Sequence, residues 1–331
     1  MIKFIDYSRD YKRFQKEYDK AWKRINKTGQ LILRDDVDEF EKRLANYVGT
    51  RFAVALSSGT DAILLALKAL GIGSGHKVSL PSHTFKATCG AVINAGATPI
   101  VYDIGESPEE MWNAHIVVHI AGELSPVVNI GNIPIIEDAC QALGAVKNPT
   151  SKVQCWYFYP AKILGCKGDA GAITTNDEKV YNYIKEYRNH YKEDNLGFGG
   201  NHRMDNLQAA LLNIKIQHID EILARRKEIA EKYLRELNEL DLVLPNYFGH
   251  NDSLRVWQDF IIRTDRRDEL YNFLKENGIE TMKNLYPFSP EYPKPPKAKE
   301  YEASTLRIPC YENLTNKEQD YVIETIKKFY N

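Results

Sequence analysis

The sequence predicts an α/β protein: a large domain built on a mostly parallel seven-stranded sheet covered by helices (1–220), then a smaller C-terminal α+β domain (221–331). Three observations predict it. Short apolar runs alternate with helical stretches through the first half of the chain, the pattern of strand–helix crossover units. Several of those runs are continuously apolar, as in HisIleValValHisIle (115–120), which marks strands covered on both faces. From Asn206 the chain turns helical for a long way and then resumes with a strand and two helices.

Composition narrows the class. A chain of 331 residues buries a large core in one or two domains. Hydrophobic residues make up 43% and charged residues 27%, and the net charge of −1 gives no electrostatic case for nucleic acid or an anionic membrane as partner. No apolar run approaches the ~20 residues of a membrane helix. The opening MetIleLysPheIleAsp has no signal-peptide core. The five cysteines are scattered, with no CxxC pair, which argues against zinc or a disulfide framework and for a reducing, cytoplasmic setting.

Taken in order, residues 10–28 read as a polar surface helix with spaced aromatics. Val37, Phe40, Leu44 and Tyr47 share one face of a second helix. ArgPheAlaValAlaLeu (51–56) is a strand, and the helix after it stops at Gly71. Further strands are expected at 76–82, 98–104, 115–120, 133–139, 155–159 and 170–175, with a helix at about 87–95. Leu207, Leu211, Ile214, Ile219 and Leu223 line one face of a single long helix reaching about Glu239. ValTrpGlnAspPheIleIleArg (256–263) is a strand, 266–277 a helix, 287–297 a proline-rich loop, and a last helix starts at about Thr315.

Four stretches carry candidate chemistry. Residues 155–165 run from an aromatic strand into a turn holding Lys162, with Pro160 ending the ladder. A lysine there ordinarily snorkels to solvent; the alternative is an amine held for imine chemistry, made nucleophilic by a lowered pKa. SerSerGlyThrAsp (57–61) joins a strand to a helix N-terminus, where Gly59 permits close approach of a phosphate and Ser58 and Thr60 offer hydroxyls, or where Ser and Thr simply cap the helix. Glu137 and Asp138 stand at the C-terminal end of a buried strand, the end that faces the ligand crevice in open α/β sheets, with Gln141 three residues on. Phe85 could stack on a flat ring or pack in the core, and His83 beside it could act as a base or fill a loop. In the loop before Asn206, Asn201 and Arg203 are exposed candidates for ligand or subunit contact, whereas Met204, Asp205 and Gln208 look structural. A phosphate cradle, a stacking ring, a carboxylate for a ring nitrogen and a lysine in a tight turn are together what pyridoxal phosphate requires.

SerSerGlyThrAspAla, AlaGlyAlaThrProIleValTyrAspIle, IleGluAspAlaCysGlnAlaLeuGlyAla, PheTyrProAlaLysIleLeuGly with GlyAspAlaGlyAlaIle, and AsnHisArgMetAspAsnLeuGlnAlaAla resemble, in order, the DegT/StrS group of sugar-nucleotide aminotransferases, of the aspartate aminotransferase superfamily. The resemblance runs from about Leu31 to the C-terminus. It implies a pyridoxal 5'-phosphate enzyme in which Lys162 condenses with the cofactor aldehyde and moves the proton, and Asp138 keeps the ring nitrogen protonated. Gln141 would bond the ring hydroxyl, Phe85 would stack, and Ser58, Gly59 and Thr60 would hold the phosphate. The family's usual serine five residues before the lysine is Tyr157 here, so its hydroxyl would take that phosphate contact. Asn201 would reach the cofactor of the neighbouring subunit, making a homodimer with a shared active site. The implied reaction passes an amine from L-glutamate to a nucleotide-linked keto-sugar, leaning to sugar carbon 3, with carbon 4 or a non-catalytic regulator that keeps the cofactor as alternatives.

Overall fold

The computed structural model describes residues 1–107, 111–128, 131–192, 197–245, 255–283, 292 and 295–331. Its strands are β1 (Phe52–Leu56), β2 (Lys77–Pro81), β3 (Thr98–Tyr102), β4 (Ala114–Val118), β5 (Ile135–Asp138), β6 (Val153–Tyr157), β7 (Gly171–Thr175), β8 (Phe260–Arg263), β9 (Met282–Lys283) and β10 (Thr305–Ile308). Its helices are α1 (Tyr7–Thr28), α2 (Asp35–Val48), α3 (Gly59–Ala69), α4 (Lys86–Asn94), α5 (Glu178–Tyr187), α6 (Asn206–Lys215), α7 (Ile219–Leu237), α8 (Arg267–Glu276), α9 (Pro296–Ser304) and α10 (Asn316–Tyr330).

The expected seven-stranded sheet is present, in the order β1-β7-β6-β5-β4-β2-β3. β3, β2, β4, β5 and β6 pair in parallel, while β7 runs antiparallel to both β6 and β1. Alternation along the strands splits the core between two faces. Ala53, Ala55, Trp156 and Ala172 meet α2 and α6 on one face, and Val54, Leu56, Cys155 and Ile173 meet α3 and α4 on the other. A second sheet, β8-β10-β9, anchors a separate core with α7, α8 and α10. α7 spans the two: Ile219 and Ile222 pack with the large sheet, Ile229 to Leu237 with the small one. Ile2 packs in the small core too, so the two ends of the chain share it.

Three expectations are corrected. The long helix from Asn206 is two helices, because residues 216–218 tighten into a 3₁₀ turn and His218 leaves helical geometry at φ −109°, ψ 13°. The strand expected from Val256 starts only at Phe260: Arg226 Nη1 takes the carbonyls of Trp257 and Gln258 at 3.1 and 3.2 Å. No element is expected at 178–187, yet α5 forms there; the cap from Asp177 to the Lys179 N–H and the Val180/Ile184 spacing are the signals that mark it. Part of the expected proline-rich loop at 287–297 lies outside the described residues.

The chain ends are tied by charge as well. Arg9 grips Glu318 through two bonds of 2.5 and 2.6 Å, and that guanidinium pulls the Glu318 carboxyl from the usual 4.5 down to about 2. The folded value is the lower one, so the contribution to stability is complete above pH 4.5 and is lost as pH falls through about 2. Both side chains are partly exposed, so solvent screens the pair and the effect is small. Denaturant unfolding between pH 5 and pH 2 should show a shallower acid decline for Glu318→Gln than for the wild type.

Candidate active site

The C-terminal ends of β4, β5 and β6 open into a cavity of about 410 Å³, within the range typical of small-molecule sites. Lys162 and Asp138 both line it, as do Gly59, Thr60, Phe85, Gln141 and Tyr157.

Lys162 sits where the sequence places it, in the loop between the antiparallel strands β6 and β7. The loop is fixed from outside: Gln258 accepts from the Ile163 N–H at 3.1 Å and donates to the Ala161 carbonyl at 2.9 Å. Gly165 is required by a close approach, since a Cβ there would lie 2.5 Å from the Pro160 carbonyl oxygen. The lysine amine stands 5.7 Å from the centre of the Tyr157 ring. Protein crowds the side chain while its tip faces the cavity. That desolvation lowers the ammonium pKa below the ordinary lysine value, with nearby Cys140, Asp259 and Asp138 opposing the shift.

Asp138 is only 7% exposed and is held at both oxygens. Thr88 Oγ1 donates to Oδ2 at 2.8 Å and the Cys140 N–H to Oδ1 at 3.3 Å. Thr88 spends its single hydrogen on Asp138, so Thr84, 2.7 Å away, must donate to Thr88. Its neighbour Glu137 points the other way and does not join the cavity. It accepts from His119 Nε2 at 2.8 Å and from the Ser151 hydroxyl. His119 Nδ1 accepts the Ser125 N–H at 3.1 Å, which assigns the proton to Nε2. His119 thereby forms part of the cavity wall with both ring nitrogens engaged.

The expected phosphate turn divides. Gly59 and Thr60 line the cavity at the N-terminus of α3. A Cβ at position 59 would lie 2.7 Å from Tyr157 Cβ and 2.9 Å from Cys140 Sγ, so only glycine fits. Ser58 is the helix cap instead, its side chain accepting the Asp61 N–H at 3.1 Å. Tyr157 lines the cavity, but its hydroxyl donates to Asp169 at 2.6 Å. Gln141 accepts the Ala121 N–H at 2.6 Å, leaving its amide nitrogen for a ligand. Phe85 is 49% exposed at the mouth, not packed in the core. His83 is buried 4.7 Å from the Tyr301 ring, away from the cavity lining. Asn201 is exposed, bonded to Arg203 at 3.0 Å, and outside the cavity lining. Gln208 is structural as expected, accepting the Lys167 N–H at 3.0 Å.

Several cavity residues carry no local sequence signal. Thr88 comes from α4, Gln258, Asp259 and Arg307 from the small-domain side, and Phe4, Ile5 and Tyr7 from the N-terminus.

This chain belongs to the DegT/DnrJ/EryC1/StrS aminotransferase family, whose profile matches residues 12–327. It is 32% identical to the dTDP-3-amino-3,6-dideoxy-alpha-D-galactopyranose transaminase of Aneurinibacillus thermoaerophilus, over 99% of both chains. Among solved structures it superposes on Streptomyces venezuelae DesV in complex with a ketimine intermediate, with a TM-score of 0.89, 31% identity and coverage of 99% of this chain and 98% of that one. It also matches NtdA of Bacillus subtilis with bound cofactor PMP, with a TM-score of 0.81, 26% identity and coverage of 95% and 81%. The protein is an aminotransferase and its cofactor is pyridoxal 5'-phosphate. The cavity fits that group: an amine of lowered pKa, a buried carboxylate held by two donors, and a glycine-only helix start beside them. Among the described residues no helix is long and apolar enough to cross a membrane, and no cluster could hold a metal ion.

Proposed function

We propose that this protein transfers an amino group from L-glutamate to the keto carbon of a nucleotide-linked sugar, working at sugar carbon 3. The observation that carries the reading is the Lys162 amine facing the same cavity as Asp138. The 3-amino sugar in the name of the Aneurinibacillus relative supports the choice of carbon.

The chain's own residues divide the work. Lys162, with its lowered pKa, is the group that accepts a proton from the substrate carbon and returns it. Asp138, held by its two donors, would face the cofactor's ring nitrogen. Phe85 would cover one face of the ring, Gln141 would meet its hydroxyl, and Gly59 with Thr60 would receive the phosphate at the start of α3. Ser58 supports that turn as its cap, and Tyr157 flanks it with its ring, its hydroxyl being committed to Asp169. Bound pyridoxal phosphate supplies an electron sink for the electrons left at the substrate carbon. Asn201 lies outside the cavity of its own subunit, consistent with a homodimer in which it serves the partner's site.

The test is turnover. Purified protein is incubated with L-glutamate and a panel of dTDP-, UDP- and GDP-linked 3-keto and 4-keto sugars, and amino-sugars are read by mass spectrometry. Amination of a 3-keto sugar with matching 2-oxoglutarate is the expected result. Turnover of 4-keto sugars alone overturns the carbon assignment, and a coloured protein with no 2-oxoglutarate from any member overturns the enzyme's proposed substrate class.

A further inference from the structure

Residues 2–9 form a wall of the cavity although they lie some 150 positions from Lys162. The segment is stitched down along its length. The Ile2 N–H donates to the Gly278 carbonyl at 2.7 Å, and the Glu280 N–H returns a bond to the Ile2 carbonyl at 2.9 Å. The Phe4 N–H donates to Glu280 Oε2 at 3.2 Å. Asp6 caps α1 by accepting the Ser8 N–H at 3.0 Å, and one turn later Arg9 holds both Glu318 and, at 3.0 Å, the Asn313 carbonyl. Between these anchors, Phe4, Ile5 and Tyr7 face the cavity.

Tyr7 meets Tyr159 there. Both phenols line the cavity and are 44% and 43% exposed. The Tyr159 ring in turn lies 5.8 Å from the Tyr157 ring, tilted by 31°. Tyr157 flanks the lysine, so an aromatic ledge runs from Lys162 to the mouth.

We propose that Tyr7 and Tyr159 seat the sugar ring of the acceptor, and that residues 2–9 are the fixed wall that selects which sugar enters. The inference rests on the sugar-acceptor reading of the site. A sugar ring presents apolar C–H faces and a hydroxyl edge. A pair of phenols offers matching surfaces, with ring faces for the first and O–H groups that donate and accept for the second. The cavity volume, about 410 Å³, is near the lower end of ligand pockets, roughly 300–1,000 Å³. On this proposal the sugar ring lies on the ledge and the nucleotide lies beyond it. The rigidity of the anchors matters because a wall fixed on both sides rejects misfitting hydroxyls and does not yield to them.

Calorimetric titration of the cofactor-loaded protein with dTDP-, UDP- and GDP-glucose, and with the three free nucleoside diphosphates, tests this. For whichever pair the wild type binds, Tyr7→Ala is expected to raise Kd for the nucleotide-glucose by roughly two- to tenfold, with the free diphosphate unchanged. Glu318→Gln, which loosens the Arg9 clasp outside the cavity, should shift Kd in the same selective way but less. Thermal melts confirm that both variants fold. Equal weakening of sugar and diphosphate would place the nucleotide on the ledge and overturn the inference, as would no weakening of either. A wild type that binds none of the six overturns the sugar-acceptor reading itself.

Discussion

Lys162→Ala should leave a folded protein that no longer transfers amines, with turnover reduced on the order of 10²–10⁴-fold or more. The loss follows from the proposed role of the amine as proton carrier, since Lys162 lines the cavity with Asp138, 5.7 Å from the Tyr157 ring. Folding should survive, because the loop is held by Gln258 through backbone atoms of Ala161 and Ile163 that the substitution keeps. Borohydride treatment followed by intact mass measurement should give a cofactor adduct on the wild type and none on the variant. Stability carries a second signature. In the cofactor-free wild type the folded ammonium has a lowered pKa, so between that value and 10.5 the unfolded chain binds more protons and stability rises with pH as it approaches 10.5. The alanine variant should lose this slope, measured as unfolding midpoints from pH 7 to pH 10. An unchanged turnover rate would remove the lysine from the chemistry altogether.

Asp138→Asn should cost roughly 10²–10³-fold in turnover, the scale for removing one preorganised electrostatic group, while stability falls by only about 1 kcal/mol. The separation comes from the hydroxyl chain behind the carboxylate. In the wild type Thr84 donates to Thr88 and Thr88 to Asp138. An asparagine nitrogen in the place of Oδ2 reverses that direction: it donates to Thr88, which donates to Thr84. The amide oxygen keeps the Cys140 N–H, so Thr88 and Cys140 keep partners on residue 138 and only the Thr84 hydroxyl hydrogen loses its acceptor, which is the source of the small stability cost. Single-turnover rates alongside urea unfolding would show the split. A variant that collapses in stability, or one that turns over like the wild type, would contradict the assignment of Asp138 to the ring nitrogen.

Asp138, Gly59 and Thr60 were legible because each sits at a strand end or helix start, and Lys162 because Pro160 and the glycines around it mark the tight loop that follows β6. Ser58 shows the limit of such reading. A serine before a helix serves equally as cap or phosphate ligand, and only the bond from the Asp61 N–H shows that it caps here. Tyr157 likewise looks available until Asp169 is folded beside it. Thr88, Gln258 and Tyr7 had no motif to announce them, since their roles arise from contacts across the fold. The break at 216–218 was hidden because the apolar period continues through the turn from Ile214 to Ile219.

The clasp between Arg9 and Glu318 joins residues 309 positions apart. A ribosome making this chain must pass residue 318 before the segment beside Lys162 can lock into place. Until then Lys162 would face an open cleft, and the wall that Phe4, Ile5 and Tyr7 supply is complete only once the small sheet's elements have been made.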